Sequence, residues 1–171
     1  MTIRRLRAAD AEAFRAVRLH ALRDSPTAFG SSHHEESGQP LEWFAARLEA
    51  DGALMFGGFV DGVLAGIAAV VRAPAAKERH RAEIRSMFVA PAYRGRGLAA
   101  ALLRHALAAA DAMPGVWQVT LTVTAGNIAA QRLYEAHGFA PYGRLPASLH
   151  VEGRYYDDVL MLRVREEAGG A

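Results

Sequence analysis

The chain has no cysteine. Disulfides and a thiol nucleophile are therefore excluded, and a reducing, cytoplasmic setting is the expectation. Neither sign of charge is in excess: 20 Lys and Arg stand against 18 Asp and Glu, a formal net of +2, so a broad basic footprint for nucleic acid is missing. No apolar run approaches the ~20 residues that span a bilayer. Arg4, Arg5 and Arg7 are followed by an amphipathic segment rather than the apolar core of a signal peptide, so no membrane partner is expected. Of the 7 histidines only His33 and His34 are neighbours, none pair at the helical spacing of metal ligands, and no metal is expected. Repeats and low-complexity segments are lacking too. What is left is a length suited to one core, read as a single domain over residues 1–165 with a disordered tail at 166–171.

Half of the residues present, 51 %, are apolar, and their order alternates between strand and helix patterns. Thr2 to Leu6 reads as a short strand. Asp10 stands where it can cap a helix carrying Phe14, Val17, Leu19 and Leu22, which Ser25-Pro26 ends. Thr27 to Glu36 reads as a polar link to a helix beginning near Pro40. Ala53–Val60 and Val63–Arg72, joined by Asp61-Gly62, have the pattern of a hairpin with a tight primed turn. After a charged loop at Ala73–Arg81 come an extended run, Ala82–Val89, a glycine-rich turn, a helix stopped by Met113-Pro-Gly115, and a strand from Val116 to Thr124. Phe139–Arg144 and Tyr155–Val164 close the chain as strands, with Pro146–Gly153 between them as a loop.

The turn after Val89 carries the first chemistry. In Arg94-Gly95-Arg96-Gly97-Leu98-Ala99 small residues let the backbone approach a ligand, and the following helix start directs unpaired N–H groups and a positive dipole end at it. An anion is the expected guest, with Arg94 and Arg96 suited to phosphate oxygens. The spacing fits neither a dinucleotide fingerprint nor a nucleotide-kinase loop. A second motif lies downstream: Asn127-Ile-Ala-Ala130-Gln-Arg-Leu133-Tyr134-Glu-Ala-His-Gly138-Phe139, in which Asn127 caps a helix, Gly138 stops it, and Asn127, Ala130 and Tyr134 share a face.

Together, Arg94-x-x-Gly97-x-Ala99 and Asn-x-x-Ala-x-x-Leu-Tyr-x-x-x-Gly-Phe resemble the two signatures of the GNAT superfamily of N-acetyltransferases. The likeness extends from about Ile3 to Val164. It implies an α/β (α+β) fold: a mixed, mostly antiparallel sheet of six to seven strands that splays beside a central parallel pair, with helices on both faces. It implies acetyl-CoA as cosubstrate and a primary amine as acceptor, acetylated by direct attack in a ternary complex.

By the same resemblance, the turn from Arg94 through Ala99 holds the pyrophosphate. Met87, Phe88 and Val89 offer their backbone to the pantetheine arm and the thioester carbonyl, and Asn127 and Ala130 flank that arm. Tyr134 lies near the thioester sulfur as general acid, a role its chemistry allows, because a phenol near pKa ~10 is protonated where a thiol near ~8.5 ionises. Glu83 resembles the glutamate that some members use as base. Others carry it on the next strand, where this chain has Thr122. An ion pair of Glu83 with Arg81 or Arg85 remains an alternative.

Phe29, His33, His34, Glu35 and Glu36 are implied to face the acceptor, and Tyr142, Arg144, His150, Tyr155 and Tyr156 to rim it, with Asp157 and Asp158 as candidates for holding a cationic amine. The acceptor is left open between a small-molecule amine and a peptide N-terminus. Oligomeric state is open too, a homodimer included. A non-catalytic acyl-CoA sensor or interaction module is the alternative function.

Overall fold

Asp61 and Gly62 turn the chain with both φ angles positive, 50° and 80°, as a primed turn requires, and join β2 (Ala53–Val60) to β3 (Val63–Arg72). The computed structural model describes residues 1–165, and the tail expected at 166–171 lies outside the described residues. On one side of this hairpin stands β1 (Thr2–Arg5), and on the other follow β4 (Arg81–Val89), β5 (Gln118–Thr124), β7 (Arg154–Val164) and β6 (Ala140–Val151) in one 7-stranded sheet of order β1-β2-β3-β4-β5-β7-β6. Every neighbouring pair is antiparallel except β4 and β5.

Helices cover both faces. On one, α1 (Ala11–Asp24) and α3 (Leu41–Leu48) bury Phe14, Phe44 and Leu48 against Leu6, Met55, Ile67 and Phe88. On the other, α4 (Leu98–Asp111) lays Leu98, Leu102, Leu103 and Ala106 over Ala65, Ala68, Val70 and Ile84, and α5 (Ile128–Glu135) adds Tyr134. Leu102 and Leu103 are fully buried, each contributing ~2 kcal/mol of transfer free energy. Leu98 seats the first turn of α4 on β2: a Cβ at Gly58 would lie 2.6 Å from Leu98 Cδ1, so a larger residue there would displace that side chain. No helix among the described residues is long and apolar enough to cross a membrane.

Three local readings are corrected. The stretch Pro146–Gly153 is no loop: β6 continues to Val151, and a register shift between Leu145 and Leu149 takes up Pro146, which has no N–H to give to a regular ladder. The link at 27–36 holds a short helix, α2 (His33–Ser37), started by a capping box in which Ser32 Oγ accepts from Glu35 N–H and Glu35 Oε2 accepts from Ser32 N–H. Asp10 precedes α1 without capping it, because its carboxylate is taken by the Arg4 guanidinium and the Arg7 N–H.

Candidate active site

The parallel ladder between β4 and β5 is three residue pairs long, Arg81 to Gln118, Ala82 to Val119 and Glu83 to Thr120. Beyond Glu83 the strands part. A bulge on β4 drives the divergence: Ala69 pairs with Arg85 and Ile67 with Phe88, so Ser86 and Met87 together oppose Ala68. Ser86 takes a left-handed φ of 54°, which costs a non-glycine residue ~1 kcal/mol or more and turns the strand end away from β5. The opened wedge is a cavity of about 540 Å³.

Met87, Phe88 and Val89 line this cavity from β4, with Leu121 and Val123 from β5 and Ala130, Leu133 and Tyr134 from α5. Past the ladder, the β5-facing side of β4 has no strand partner among the described residues, so its backbone groups are available to an extended ligand arm, save Val89 O, which accepts from Arg94 Nε. At one end stand Arg94 and Ala99. Gly97, with φ 77°, caps α4 and brings no side chain to its N–H groups; the first helical bond runs from Ala101 N–H to Gly97 O. The donors at residues 98–100 therefore await an acceptor from outside, and open space surrounds both Gly95 and Gly97. These features fit a diphosphate continued by a narrow apolar arm. Gly95, Arg96 and Gly97 lie beyond the cavity wall, and Leu98 turns its side chain into the core, 1 % exposed, so only its backbone can serve a ligand.

Asn127, Ala130 and Tyr134 line one wall together, as their spacing predicts. Asn127 Oδ1 accepts from Ala130 N–H at 3.1 Å and so fixes the start of α5. Tyr134 is 6 % exposed, packed edge-on against Phe139 at 6.0 Å. Among the described residues its hydroxyl makes no hydrogen bond. Burial pushes the phenol up to about 12.

A second cavity, of about 450 Å³, opens on the α1 face of the same gap and shares Ala28, Ile84, Arg85, Ser86, Thr122 and Thr124 with the first. Strand alternation explains the division: Ile84, Leu121 and Val123 face α4, while Glu83, Thr122 and Thr124 face the other way. Glu83 thus belongs to the second cavity, at the vertex of the wedge, where its Oε2 accepts from Arg85 Nη2 at 2.6 Å. Of the residues expected near an acceptor, Phe29 and Asp158 line this cavity. Glu36 lies buried behind it, Glu35 is engaged by Ser32, Asp157 by Arg144 and the Ala147 N–H, and His150 stacks on Tyr155 at 4.6 Å. His33, His34, Tyr142 and Tyr156 are not part of its wall.

Arg18, Arg47 and Ser148 were not singled out by the sequence patterns, yet all three line this cavity. Arg18 sits within the buried stripe of α1, beside Phe14 and Val17 at helical spacing, a position whose polarity is itself a signal. It forms a fork with Glu36, Nε to Oε2 at 2.9 Å and Nη2 to Oε1 at 2.7 Å, and Arg47 Nη1 reaches the same carboxylate at 3.3 Å. Burial would raise the Glu36 carboxyl, but the hydrogen bond and charge of Arg18 and the charge of Arg47 outweigh it and hold it below the usual range. Arg47 is lowered, first by burial and then by the charge of Arg18.

An α/β domain whose sheet is wedged open between two parallel strands, with a glycine-capped helix at one end of the wedge, has the acyl-CoA N-acyltransferase fold. Residues 16–139 match the Acetyltransferase (GNAT) family, and the chain belongs to it. It is 32 % identical over 78 residues to a spermidine N(1)-acetyltransferase of Vibrio cholerae, covering 46 % of this chain and 45 % of the relative. To a Bacillus subtilis protein named for phosphinothricin acetylation it is 32 % identical over 72 residues, 42 % of this chain and 44 % of that one. The chain thus matches less than half the length of these curated relatives.

Among solved structures, a GNAT-family acetyltransferase of Streptococcus pneumoniae superposes with TM-score 0.82 at 24 % identity, over 95 % of this chain and 98 % of that one. The yncA protein of Salmonella typhimurium, solved with its cofactor acetyl-CoA, superposes with TM-score 0.81 at 24 % identity, over 100 % and 97 % of the two chains. These likenesses carry the fold.

Proposed function

We propose that this protein is a cytoplasmic N-acetyltransferase that moves an acetyl group from acetyl-CoA directly to a primary amine. The observation that carries the reading is the meeting of two cavities in one gap. One is built for a diphosphate and an apolar arm, the other is charged and opens from the opposite face, and Ser86 and Thr122 belong to both. Two ligands can then react in line without a covalent enzyme intermediate. A binding module would need only the first cavity.

Acetyl-CoA supplies the activated acyl group. This chain's residues bind and orient: Arg94 and the uncapped N–H groups of α4 hold the diphosphate end, Asn127 and Ala130 border the arm, and the open edge of β4 at Met87 and Val89, on either side of the β3-paired Phe88, donates to the thioester carbonyl. The Tyr134 hydroxyl, unspent on the protein, donates toward the departing sulfur. With a pKa of about 12 against ~8.5 for a free thiol, complete proton transfer from Tyr134 is uphill, so its part is a hydrogen bond that strengthens as charge grows there.

Glu83 serves as base through water. It stands three residues before Ser86, roughly 10 Å along the strand at ~3.3 Å per residue, beyond direct reach of an amine in the gap. Glu83→Gln should then slow turnover near neutral pH, with the deficit shrinking as rising pH frees the amine; a profile parallel to wild type leaves Glu83 a partner of Arg85 alone. The transferase reading itself is tested by thiol release from acetyl-CoA across an amine panel, with thermal shift for CoA binding. Spermidine and phosphinothricin, the acceptors named for the two relatives, belong in the panel: one is a polycation, the other an amine that also bears acidic groups.

A further inference from the structure

The second cavity is walled by charges that do not balance locally. On the α1 and α3 side, Arg18 and Arg47 share one carboxylate, Glu36, and so hold one positive charge in excess. Arg18 is 4 % exposed, lines the cavity, and among the described residues its buried Nη1 has no hydrogen-bond partner. Its guanidinium carbon lies over the Phe29 ring, 4.9 Å from the centroid, and that of Arg47 over the Trp43 ring at 4.7 Å. An unpaired buried guanidinium N–H costs stability unless something accepts from it.

The opposite imbalance stands on the β7 side. Asp158 is 7 % exposed, and its Oδ2 accepts from Ser148 Oγ at 2.6 Å; among the described residues no cationic side chain pairs with it. Its strand neighbour is Thr124 at the mouth of the gap. Glu83 and Arg85, between these poles, neutralise one another.

We propose that the acceptor is an amine that also carries an acid group, of the amino-acid type: its carboxylate or phosphinate accepts from Arg18 and Arg47, while its ammonium is received by Asp158 at the gap. The proposal rests on the transferase reading and names the acceptor class for it. A zwitterion cancels both excess charges at once. A polyamine would place further positive charge against Arg18 and Arg47, and a peptide N-terminus would leave them without an anion. Planar guanidinium groups suit a carboxylate or phosphinate with two oxygens, and the cavity's about 450 Å³ is of the size that holds a small molecule.

The test uses the full chain saturated with CoA, titrated calorimetrically with L-leucine, L-glutamate and phosphinothricin, and with isoamylamine, spermidine and an alanyl peptide amide as acid-free counterparts. Thiol release from acetyl-CoA is measured on the same panel. The expected result is a preference of ~10- to 100-fold in Kd and in kcat/KM for the acid-bearing amines, the range of discrimination that a charged pairing supplies. Arg47→Gln, chosen because this side chain is 32 % exposed and its loss spares the Arg18 fork, should shrink that preference toward parity with the KM for acetyl-CoA unchanged.

Better use of spermidine or the peptide amide, or an Arg47→Gln variant that weakens acid-bearing and acid-free amines equally, overturns the proposal while leaving the transferase reading intact. Binding of the amino acids with the Arg47 dependence but no thiol release with any amine overturns the transferase reading and sustains the acid-binding site.

Discussion

Asp24 and Arg94 meet although 70 residues separate them: the carboxylate that ends α1 takes Arg94 Nη2, while Arg94 Nε donates to Val89 O at 2.9 Å. The helix that supplies Arg18 to one cavity thereby orients a guanidinium at the other. With Arg94 49 % exposed, the pair adds under ~1 kcal/mol to stability, so its effect should appear in binding. Arg94→Gln is expected to weaken CoA ~10-fold and flatten its salt dependence. Asp24→Asn removes a carboxylate that competes with the diphosphate and should tighten CoA ~2- to 5-fold at low salt. Calorimetric titration at two ionic strengths checks both, and a weaker complex for Asp24→Asn would mean that the pair prepares the site.

At Gly97 two substitutions separate strain from charge. Gly97→Ala meets no neighbour but must hold φ 77°, a penalty of ~1 kcal/mol, and should lower the melting temperature while keeping most of the CoA-induced shift. Gly97→Glu puts bulk and negative charge at the helix start and should abolish the shift altogether. Equal shifts in the two variants would remove this turn from the cofactor site.

Tyr134→Phe retains the ring and its edge contact with Phe139, so folding and the KM for acetyl-CoA should change little while kcat falls ~10²- to 10³-fold. Because the phenol is pushed up to about 12, the wild-type rate should show no alkaline break from this residue below pH ~10. Stability follows the same sign: a raised acid keeps its full contribution below the unfolded value near ~10 and loses it as pH climbs toward 12. Steady-state kinetics over pH 6–10 measures the first two effects. Full activity in the Phe variant would leave Tyr134 as packing alone.

Glu36 sets a limit on the acid side. Its carboxyl is held below the usual range, so its stabilisation is complete above the ordinary carboxylate pKa and is lost as pH falls through the folded value. Removing the charge leaves Arg18 and Arg47 facing each other without a counter-ion, and Glu36→Gln should cost ~3–5 kcal/mol at pH 7. The difference in melting temperature between wild type and variant should narrow as pH falls below the ordinary carboxylate range. A difference that stays constant on acidification would assign the loss to packing.

The two signature stretches made the first cavity readable in advance, because backbone demands fix their residues: a positive φ at Gly97 and an Asx cap at Asn127 admit few alternatives. The hairpin at Asp61-Gly62 was legible for the same reason. The wedge owes its opening to Ser86, whose left-handed φ no serine announces, since it arises from sheet geometry rather than local preference. The second cavity is built from side chains far apart in sequence, with Arg18 on α1, Arg47 on α3 and Asp158 on β7, and only the fold brings them together. Glu36, expected to face the acceptor, lies behind the wall as the anion that anchors it. Helix α2 has its start written in Ser32-x-x-Glu35, but it is too short and too polar to show an apolar period.

The three-pair joint between β4 and β5 makes the sheet two plates hinged at one corner. Amides of β2 and β3 are locked inside one plate and those of β7 inside the other, so both sets should exchange with solvent deuterium only on global unfolding, whereas the amides that bridge the joint, around residues 81–83 and 118–120, open by a smaller excursion. A ligand arm bonded to β4 along the wedge fills the missing length of the ladder, and its arrival should slow exchange at the hinge itself, a turn or more of strand away from any atom it touches.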